Sequence, residues 1–374
     1  MLIARAPVRI SFGGGGTDLP AYYERHGGMV VSTAINYYVY TILTPGGSDN
    51  GVQIISADYR TFSQRPTCED LIWNGDLGLP KAVTYYFNLR DGLTIFLASQ
   101  IPPGTGLGSS SSVAVSMVKA LAFWCGLDLG PAEVAELACY IEMEKLRMPI
   151  GKQDQYAAAF GGLNSITFSR DGVTVEPLRV SRKTREALES RLMLFFTGSS
   201  RRSSTILRRQ KQASQQGDKA TVRRLDAIKE LGLGVRTALE RGDLDAFGDL
   251  LHQSWMEKRQ LTEGITNPFL DQCYQAAQDN GALGGKITGA GGGGFMMLYC
   301  PEERQEAVTE ALTELGLQRR TFTFDDEGVQ VMQAMPWPGS HIPNHFPLFM
   351  EGIQVGSNDN IRLPAAASRD LLWS

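Results

Sequence analysis

The chain has 374 residues, of which 43% are hydrophobic and 20% are charged, so it is long and apolar enough to form two domains with full cores. The chain has a net charge of −4 and therefore no excess of basic residues that would favour binding to nucleic acid or to an anionic membrane. We expect neither partner. The sequence contains no run of 18 apolar residues, so it predicts no membrane-spanning helix.

The five cysteines are scattered without the C-x-x-C spacing of a metal or redox site, and several fall within apolar runs. The first residues lead directly into a polar motif, without the apolar segment of a secretory signal. Together these features predict a cytoplasmic protein with reduced cysteines. A homo-oligomer is compatible with the sequence.

The N-terminal segment carries a basic and glycine-rich motif. Arg5 to Phe12 reads RAPVRISF, and it is followed by four glycines at Gly13 to Gly16 and then by Thr17 and Asp18. Alternating apolar segments at 29–43 and 52–56 predict β-strands. Helical periodicity is expected only from Ser110 onward.

The segment from Pro102 to Ser112 reads PPGTGLGSSSS and lies between an alternating apolar run (93–101) and a long helical pattern (113–124). Glycines let backbone N–H groups close on an anion, and the following helix directs its positive dipole end at the same point. A plain strand-to-helix loop with a serine cap is the simpler alternative, but four consecutive serines exceed that need. No Lys follows Gly108, so this is not a P-loop, and phosphate must be held by amides, hydroxyls and a metal.

Helices are predicted to continue to about Phe160, and the later chain alternates between strands and helices. The expected strands are at 164–168, 173–175, 192–196, 293–300, 320–324 and 329–332, and the expected helices are within 199–278 and at 301–315. This alternation predicts an α+β protein.

Two charged segments follow the glycine loop. The first, from Glu142 to Gln155, reads EMEKLRMPIGKQDQ and offers carboxylates for metal binding and for proton transfer. The second, 201–224, is strongly basic, and a solvated helix face explains its later residues. Arg201 and Arg202 follow a predicted strand end, where a guanidinium could bind a substrate phosphate in a bidentate manner.

A third glycine-rich motif, KITGAGGGGF, occupies Lys286 to Phe295. The three glycine motifs, in this order over roughly residues 1 to 335, closely resemble the signature of the GHMP family of small-molecule kinases. The resemblance implies an N-terminal domain like domain 2 of ribosomal protein S5 (1–180) and a ferredoxin-like C-terminal domain (181–335), with the active site between them. We expect the boundary near 170–190. A proline-rich extension (336–374) lies beyond the resemblance.

The resemblance also implies that ATP and Mg²⁺ are the cofactors and assigns roles to individual residues. The residues expected to bind ATP are Pro103, Gly104, Gly106, Leu107, Gly108, Ser109, Ser110 and Ser111. The metal ligands are expected to be Ser110 and Glu142, with Ser109 and Glu144 as their alternatives. The expected catalytic residues are Asp154 as the base and Arg9, which lies either near the reacting groups or in a structural pair with a carboxylate. The residues expected to bind the substrate are Gly16, Thr17, Asp18, Arg201, Arg202, Gly291 and Gly292.

The segments FGGGGTDLPAYYERHGG, KQDQYAAAFGGLN and FFTGSSR resemble a branch of the family that phosphorylates sugars at the anomeric hydroxyl. Gly15 and Gly16 stand where galactokinase has Glu and His, which should leave room for a larger or differently oriented sugar. The expected small-molecule substrate is D-glycero-D-manno-heptose 7-phosphate, with Arg201, Arg202 and Lys152 as candidates for holding its phosphate. A kinase of free heptose, fucose or an unusual sugar, and a non-catalytic binding protein of the same fold, are the alternatives. Tyr59 and Trp73 are the only candidates for the nucleobase.

Overall fold

The structure is a computed structural model that describes residues 1–46, 51–58, 61–65, 75–89, 92–198, 204–215, 217–333, 354–355 and 361–362. Tyr59, Trp73, Arg201, Arg202 and most of the proline-rich extension therefore lie outside the described residues.

The larger of the two main sheets is formed by strands from both ends of the chain. Its strands are β1 (Leu2–Gly13), β2 (Gly28–Pro45), β3 (Val52–Ser56), β4 (Thr61–Arg65), β5 (Leu93–Ser99), β6 (Leu163–Ser169), β7 (Gly172–Pro177) and β12 (Gln330–Gln333). Among the described residues the order is β12-β1-β2-β5-β3-β4, with β6 beside β2 and β7 beside β6. Strands β3 and β5 are parallel, and the other pairs are antiparallel.

The smaller main sheet consists of β8 (Leu192–Phe196), β9 (Gly284–Ile287), β10 (Phe295–Tyr299) and β11 (Gln318–Arg320). Its order is β11-β8-β10-β9, and all its pairs are antiparallel. Two further strands, β13 (Gln354–Val355) and β14 (Ile361–Arg362), pair only with each other among the described strands.

The described helices flank both main sheets. They are α1 (Pro20–His26), α2 (Gly78–Tyr86), α3 (Ser109–Trp124), α4 (Pro131–Cys139), α5 (Gln153–Phe160), α6 (Arg182–Arg191), α7 (Ser204–Gln215), α8 (Lys219–Arg241), α9 (Leu244–Lys258), α10 (Pro268–Asp279) and α11 (Gln305–Glu314). A π-helical turn, Tyr140–Lys145, follows α4 directly. Helices α3 and α5 contact β1 and β2, whereas α8 packs on α9 and on the same two strands.

One hydrophobic cluster joins the two main sheets. Phe12 of β1 meets Phe247 of α9 edge to face, with ring centroids 5.4 Å apart. Phe247 in turn meets Tyr299 of β10 at 5.2 Å. All three side chains are fully buried, and burying each contributes about 1.5–3 kcal/mol. This packing brings the first and third glycine motifs, at the ends of β1 and β9, to the same cleft.

The predicted strands at 29–43, 52–56, 93–101, 164–168, 173–175 and 192–196 and the helix at 110–124 are confirmed, with small shifts at their ends. The prediction that helices begin only at Ser110 is wrong, because α1 and α2 precede it. Both are too short to show several periods of an apolar pattern. The strand predicted at 320–324 lies instead at Gln318–Arg320.

The α+β class is confirmed by these two sheets and their helices. The domain boundaries stay a prediction. Strand β12 pairs with β1, so residues 330–333 belong to the larger sheet although they follow the smaller one in the chain. Cys125, Cys139, Cys273 and Cys300 are buried and not disulfide-bonded.

Candidate active site

The three glycine motifs line one cavity of about 790 Å³. The second motif forms one wall, as the loop between β5 and α3 (the glycine loop, or phosphate loop). The residues of this wall that were predicted to bind nucleotide are Pro103, Gly104, Gly106, Gly108, Ser109, Ser110 and Ser111. Because α3 begins at Ser109, its unpaired first-turn amides and positive dipole end lie at the cavity, where they favour a phosphate.

The glycines of this loop are required by its backbone conformation. Gly106 has a φ of +82°, and a side-chain carbon there would lie 2.6 Å from the carbonyl oxygen of Thr288. The second and third motifs therefore touch backbone to backbone, and Phe295 N donates to Thr105 O at 3.2 Å. A residue larger than glycine would separate them.

Arg9 and Asp154 form the centre of the site. Arg9 on β1 is 2% exposed, and its Nε and Nη2 lie 2.8 Å and 2.6 Å from the same carboxylate oxygen, Asp154 Oδ1. Its Nη1 donates to Gly106 O at 2.8 Å. Arg9 thus connects the first motif to the phosphate loop and orients the carboxylate at the start of α5.

The second oxygen of Asp154 remains open. No described residue donates a hydrogen bond to Asp154 Oδ2, which lies beside Gly108. A side-chain carbon at position 108 would be 3.2–3.3 Å from the Asp154 carboxyl group, and Gly108 has a φ of +81°. Glycine at this position leaves Oδ2 accessible to a hydroxyl group between Asp154 and the phosphate loop.

Glu142 lies on the π-helical turn, a form of helix that often occurs at functional sites. Its carboxylate is fully buried and accepts hydrogen bonds from Gln155 Nε2 at 2.6 Å and Ser111 Oγ at 3.3 Å. Burial raises its pKa from 4.5 to about 7, an effect that Asp154 reinforces and the hydrogen bonds oppose. Among the described residues Glu142 has no cationic partner.

The oxygen groups of Glu142 and Ser110 fit a magnesium ion that is bound together with a nucleotide. Mg²⁺ prefers oxygen ligands and is usually held by one or two protein groups plus phosphates and water. Glu142 supplies a buried carboxylate that has no cationic partner among the described residues, and the Ser110 side chain is exposed at the cavity. The described residues contain no cluster of three or more metal-binding His, Cys, Asp or Glu side chains, so an all-protein cage is not formed there.

Asp18 lines the cavity and is 2% exposed. Its carboxylate accepts from Gly16 N at 3.0 Å, Gln153 Nε2 at 3.2 Å and Gln153 N at 3.2 Å. Burial, followed by the neighbouring Asp154, raises its pKa despite the backbone hydrogen bonds, which oppose the rise. Asp18 therefore fixes the geometry between the first motif and the segment that carries Asp154.

Gly15 and Gly16 were expected to leave room for a sugar, but the space beside Gly16 is filled from α7. A side-chain carbon at Gly16 would lie 2.6 Å from Gln210 Nε2. Gln210 is 5% exposed, lines the cavity, and its Nε2 has no hydrogen-bond partner among the described residues. The buried Ser11 Oγ is equally unpaired there and also lines the cavity. Both groups are available to a polar ligand.

Comparison with known proteins identifies this arrangement. The family model described as "GHMP kinases N terminal domain" matches residues 78–162, and that described as "GHMP kinases C terminal" matches 235–317. The D-glycero-alpha-D-manno-heptose 7-phosphate kinase of Campylobacter jejuni is 33% identical over 87% of this chain and 97% of its own length. The chain belongs to the GHMP kinase family.

Solved structures of relatives agree with this assignment. A D-glycero-D-manno-heptose 1-phosphate kinase from Bacteroides thetaiotaomicron is 29% identical, with a TM-score of 0.74 over 90% of this chain and 100% of its own. A putative sugar kinase from Campylobacter jejuni is 31% identical, with a TM-score of 0.72 over 88% and 98% of the two chains. The predicted family and fold are confirmed, and the protein is a phosphotransferase with an alcohol acceptor. GHMP kinases use ATP as the phosphate donor.

Several residues that were predicted for the site of this GHMP kinase do not line the cavity. Thr17 is fully buried, and its hydroxyl bonds the backbone of Gly14 and Met29. Leu107 belongs to the hydrophobic core. Gly291 and Gly292 are buried, whereas their neighbours Gly289 and Ala290 line the cavity. The roles predicted for these four residues in binding remain untested.

Lys152 and the two arginines were the candidates for a substrate phosphate. The structure places the Lys152 Nζ 2.9–3.0 Å from both carboxylate oxygens of Glu136, with side chains 13% and 6% exposed. Its charge is therefore already paired inside the protein. Arg201 and Arg202 lie outside the described residues, so their assignment stays a prediction.

Sequence reasoning missed Gln210 and Lys258 as cavity residues. Lys258 lies at the end of α9, Lys286 is the first residue of the third motif and lies in β9, and both line the cavity. No local motif marks Lys258 or Gln210, because each lies within an ordinary amphipathic helix. In the part of the chain that the structure describes, no helix has the length and apolar character needed to cross a bilayer.

Proposed function

We propose that this GHMP kinase transfers the γ-phosphoryl group of MgATP to the anomeric hydroxyl of D-glycero-D-manno-heptose 7-phosphate, giving the 1,7-bisphosphate. The relatives named for heptose phosphates support this substrate, with 33% and 29% identity over most of the chain. The observation that carries the proposed chemistry is the Asp154 carboxylate, which is oriented by Arg9 through one oxygen and open at the other beside the phosphate loop.

The acceptor hydroxyl donates a hydrogen bond to Asp154 Oδ2 in this mechanism. As its oxygen bonds to the γ-phosphorus and the bond to ADP breaks, the hydroxyl proton passes to Oδ2. An anomeric hydroxyl is more acidic than an ordinary alcohol, so a carboxylate suffices as the base. Arg9 keeps the carboxylate in position through Oδ1 and contributes positive charge beside the reacting groups.

The donor phosphates lie against the amides of the glycine loop and the N-terminus of α3. When bound, Mg²⁺ would neutralise charge on these phosphates, and Ser110 and Glu142 are the residues that would hold it. Gln210, Ser11 and Asp18 surround the acceptor. The unpaired Gln210 Nε2 and Ser11 Oγ would bond sugar hydroxyls, whereas Asp18 would act mainly through the Gly16 and Gln153 backbone.

The test is ATP turnover with Mg²⁺ on heptose 7-phosphate, free heptose, L-fucose, galactose and mevalonate. We expect turnover of heptose 7-phosphate and a fall in kcat of about 10²–10⁴ in Asp154→Asn. Asp171→Asn, at an exposed turn between β6 and β7, is the matched control and should retain full activity. Turnover of fucose or galactose in preference to the heptose phosphate would refute the substrate, and full activity of Asp154→Asn would refute the mechanism.

A further inference from the structure

Among the described residues, three basic side chains line the cavity: Arg9, Lys258 and Lys286. Arg9 is paired with Asp154, but neither lysine forms an ion pair with a described carboxylate. Lys258 Nζ donates to the carbonyl oxygens of Ile287 at 3.2 Å and Gly289 at 2.5 Å. Lys286 Nζ donates to the Phe12 carbonyl oxygen at 3.3 Å. An ammonium group has three N–H donors, so each lysine retains at least one for a ligand.

Both lysines are held out of solvent. Lys258 is 9% exposed and Lys286 is 3% exposed. Burial and then the nearby Arg9 lower the pKa of Lys258 to about 7, and Asp18 opposes this only in part. Burial, followed by Lys258 and Arg9, also lowers the pKa of Lys286 well below its usual value. A buried cation without a counterion is costly, and an anion placed between these groups would offset that cost.

The known parts of the reaction leave these charges unexplained. Sugar hydroxyls are neutral and need only single hydrogen bonds, such as those that Gln210 and Ser11 can make. The donor phosphates already have the amides of the glycine loop and the α3 N-terminus. Lys258 bonds to the backbone of the third motif, and Lys286, the first residue of that motif, bonds to the end of β1.

We propose that Lys258 and Lys286 form an anion subsite in the cavity, beside the third motif, that takes a phosphate group. The phosphate is either one carried by the acceptor sugar or the phosphoryl group during transfer. Only the origin of the phosphate rests on the proposed function, because the subsite itself follows from two buried ammonium groups that face the cavity. The acceptor class it favours is a sugar phosphate rather than a neutral sugar.

The test measures binding of inorganic phosphate to the full chain by isothermal titration calorimetry, without any acceptor. The protein is saturated with Mg²⁺ and either ADP or the non-hydrolysable analogue AMP-PNP, which fills the donor phosphate positions. The variants are Lys258→Met and Lys286→Met, which keep the length of the side chain and remove its charge. Lys183→Met, on the exposed face of α6, is the matched control, and circular dichroism shows that each variant is folded.

We expect each cavity variant to bind phosphate at least tenfold more weakly than the wild type, and Lys183→Met to bind it unchanged. Lysine-dependent binding that persists with AMP-PNP supports the acceptor's own phosphate, and binding seen only with ADP supports the transferred group. Phosphate binding within twofold of the wild type in both cavity variants would overturn the subsite, as would a wild type that binds no phosphate. Since no turnover is measured, these outcomes are independent of whether heptose 7-phosphate is the substrate.

Discussion

The buried ion pair between Glu136 and Lys152 supports the segment that carries Asp154, the proposed catalytic carboxylate, and its removal should lower the free energy of unfolding. Glu136 on α4 accepts from Lys152 Nζ at 2.9 Å and also from the Tyr156 hydroxyl on α5. Asp154 lies two residues after Lys152, so this pair holds the start of α5. The pair raises the pKa of Lys152 above its usual range despite burial, which acts in the opposite direction.

Lys152→Met leaves the Glu136 carboxylate buried with only the tyrosine hydroxyl as its described hydrogen-bond donor. Removing one partner of a buried pair typically costs about 3–5 kcal/mol in the free energy of unfolding. Replacing both partners should cost less than the single change, because no uncompensated charge remains. We therefore expect Lys152→Met to be less stable than the double variant Lys152→Met with Glu136→Leu.

The free energies of unfolding are measured by urea titration of the wild type, both single variants and the double variant. The control is the exposed pair of Arg182 and Glu186 on α6, with side chains 92% and 62% exposed. Arg182→Met should change stability by less than about 0.5 kcal/mol. If Lys152→Met costs no more than Arg182→Met, or if the double variant is the least stable of the set, the reasoning from burial is refuted.

Three further predictions concern the cavity. Gly108→Ala should lower kcat about tenfold or more, because the new methyl group meets the Asp154 carboxyl and the φ of +81° strains any L-residue. Gln210→Met should raise the KM for the acceptor up to about tenfold without changing the KM for ATP, because one hydrogen bond to the sugar is lost. In the folded protein the pKa of Lys258 is about 7, below its ordinary value of 10.5. Between pH 7 and 10.5 the unfolded chain therefore binds more protons than the folded protein, and the free energy of unfolding of the wild type rises with pH. Lys258→Met should be more stable than the wild type at pH 7. The difference between their free energies of unfolding should shrink by up to about 1.4 kcal/mol per pH unit from pH 7 to 9.

Each of these has a direct check. Steady-state kinetics tests Gly108→Ala, and an unchanged kcat would show that Asp154 Oδ2 is not confined by position 108. Gln212→Met, on the exposed face of the same helix, is the control for Gln210→Met, and equal acceptor KM values in the two variants would contradict the contact. Urea titrations at several pH values test Lys258, which faces Arg9, Asp18 and Lys286, and a pH-independent difference from the wild type would contradict its lowered pKa.

Much of the cavity wall that is formed by the glycine loop could be predicted from adjacent residues. The glycines and serines of 104–111 determine a turn and a helix start by their own backbone preferences, so their positions at the cavity follow from local chemistry. The motif that contains Glu142 and Asp154 also indicated which carboxylates would face this loop. The π-helical turn beneath Glu142 was not predictable, because no residue pattern distinguishes it from an α-helix.

The sequence by itself determined the family, the α+β class and the residues of the three glycine motifs, because each is written in a short continuous stretch. Tertiary structure alone decided which distant groups meet: Arg9 with Asp154, 145 positions apart, Gln210 with Gly16, and Lys258 with the backbone of the third motif. It also removed Lys152 from the candidates for binding phosphate by pairing it with Glu136. The physical reason is that ion pairing and burial depend on the packing of separate elements, which a local pattern of residue types does not specify.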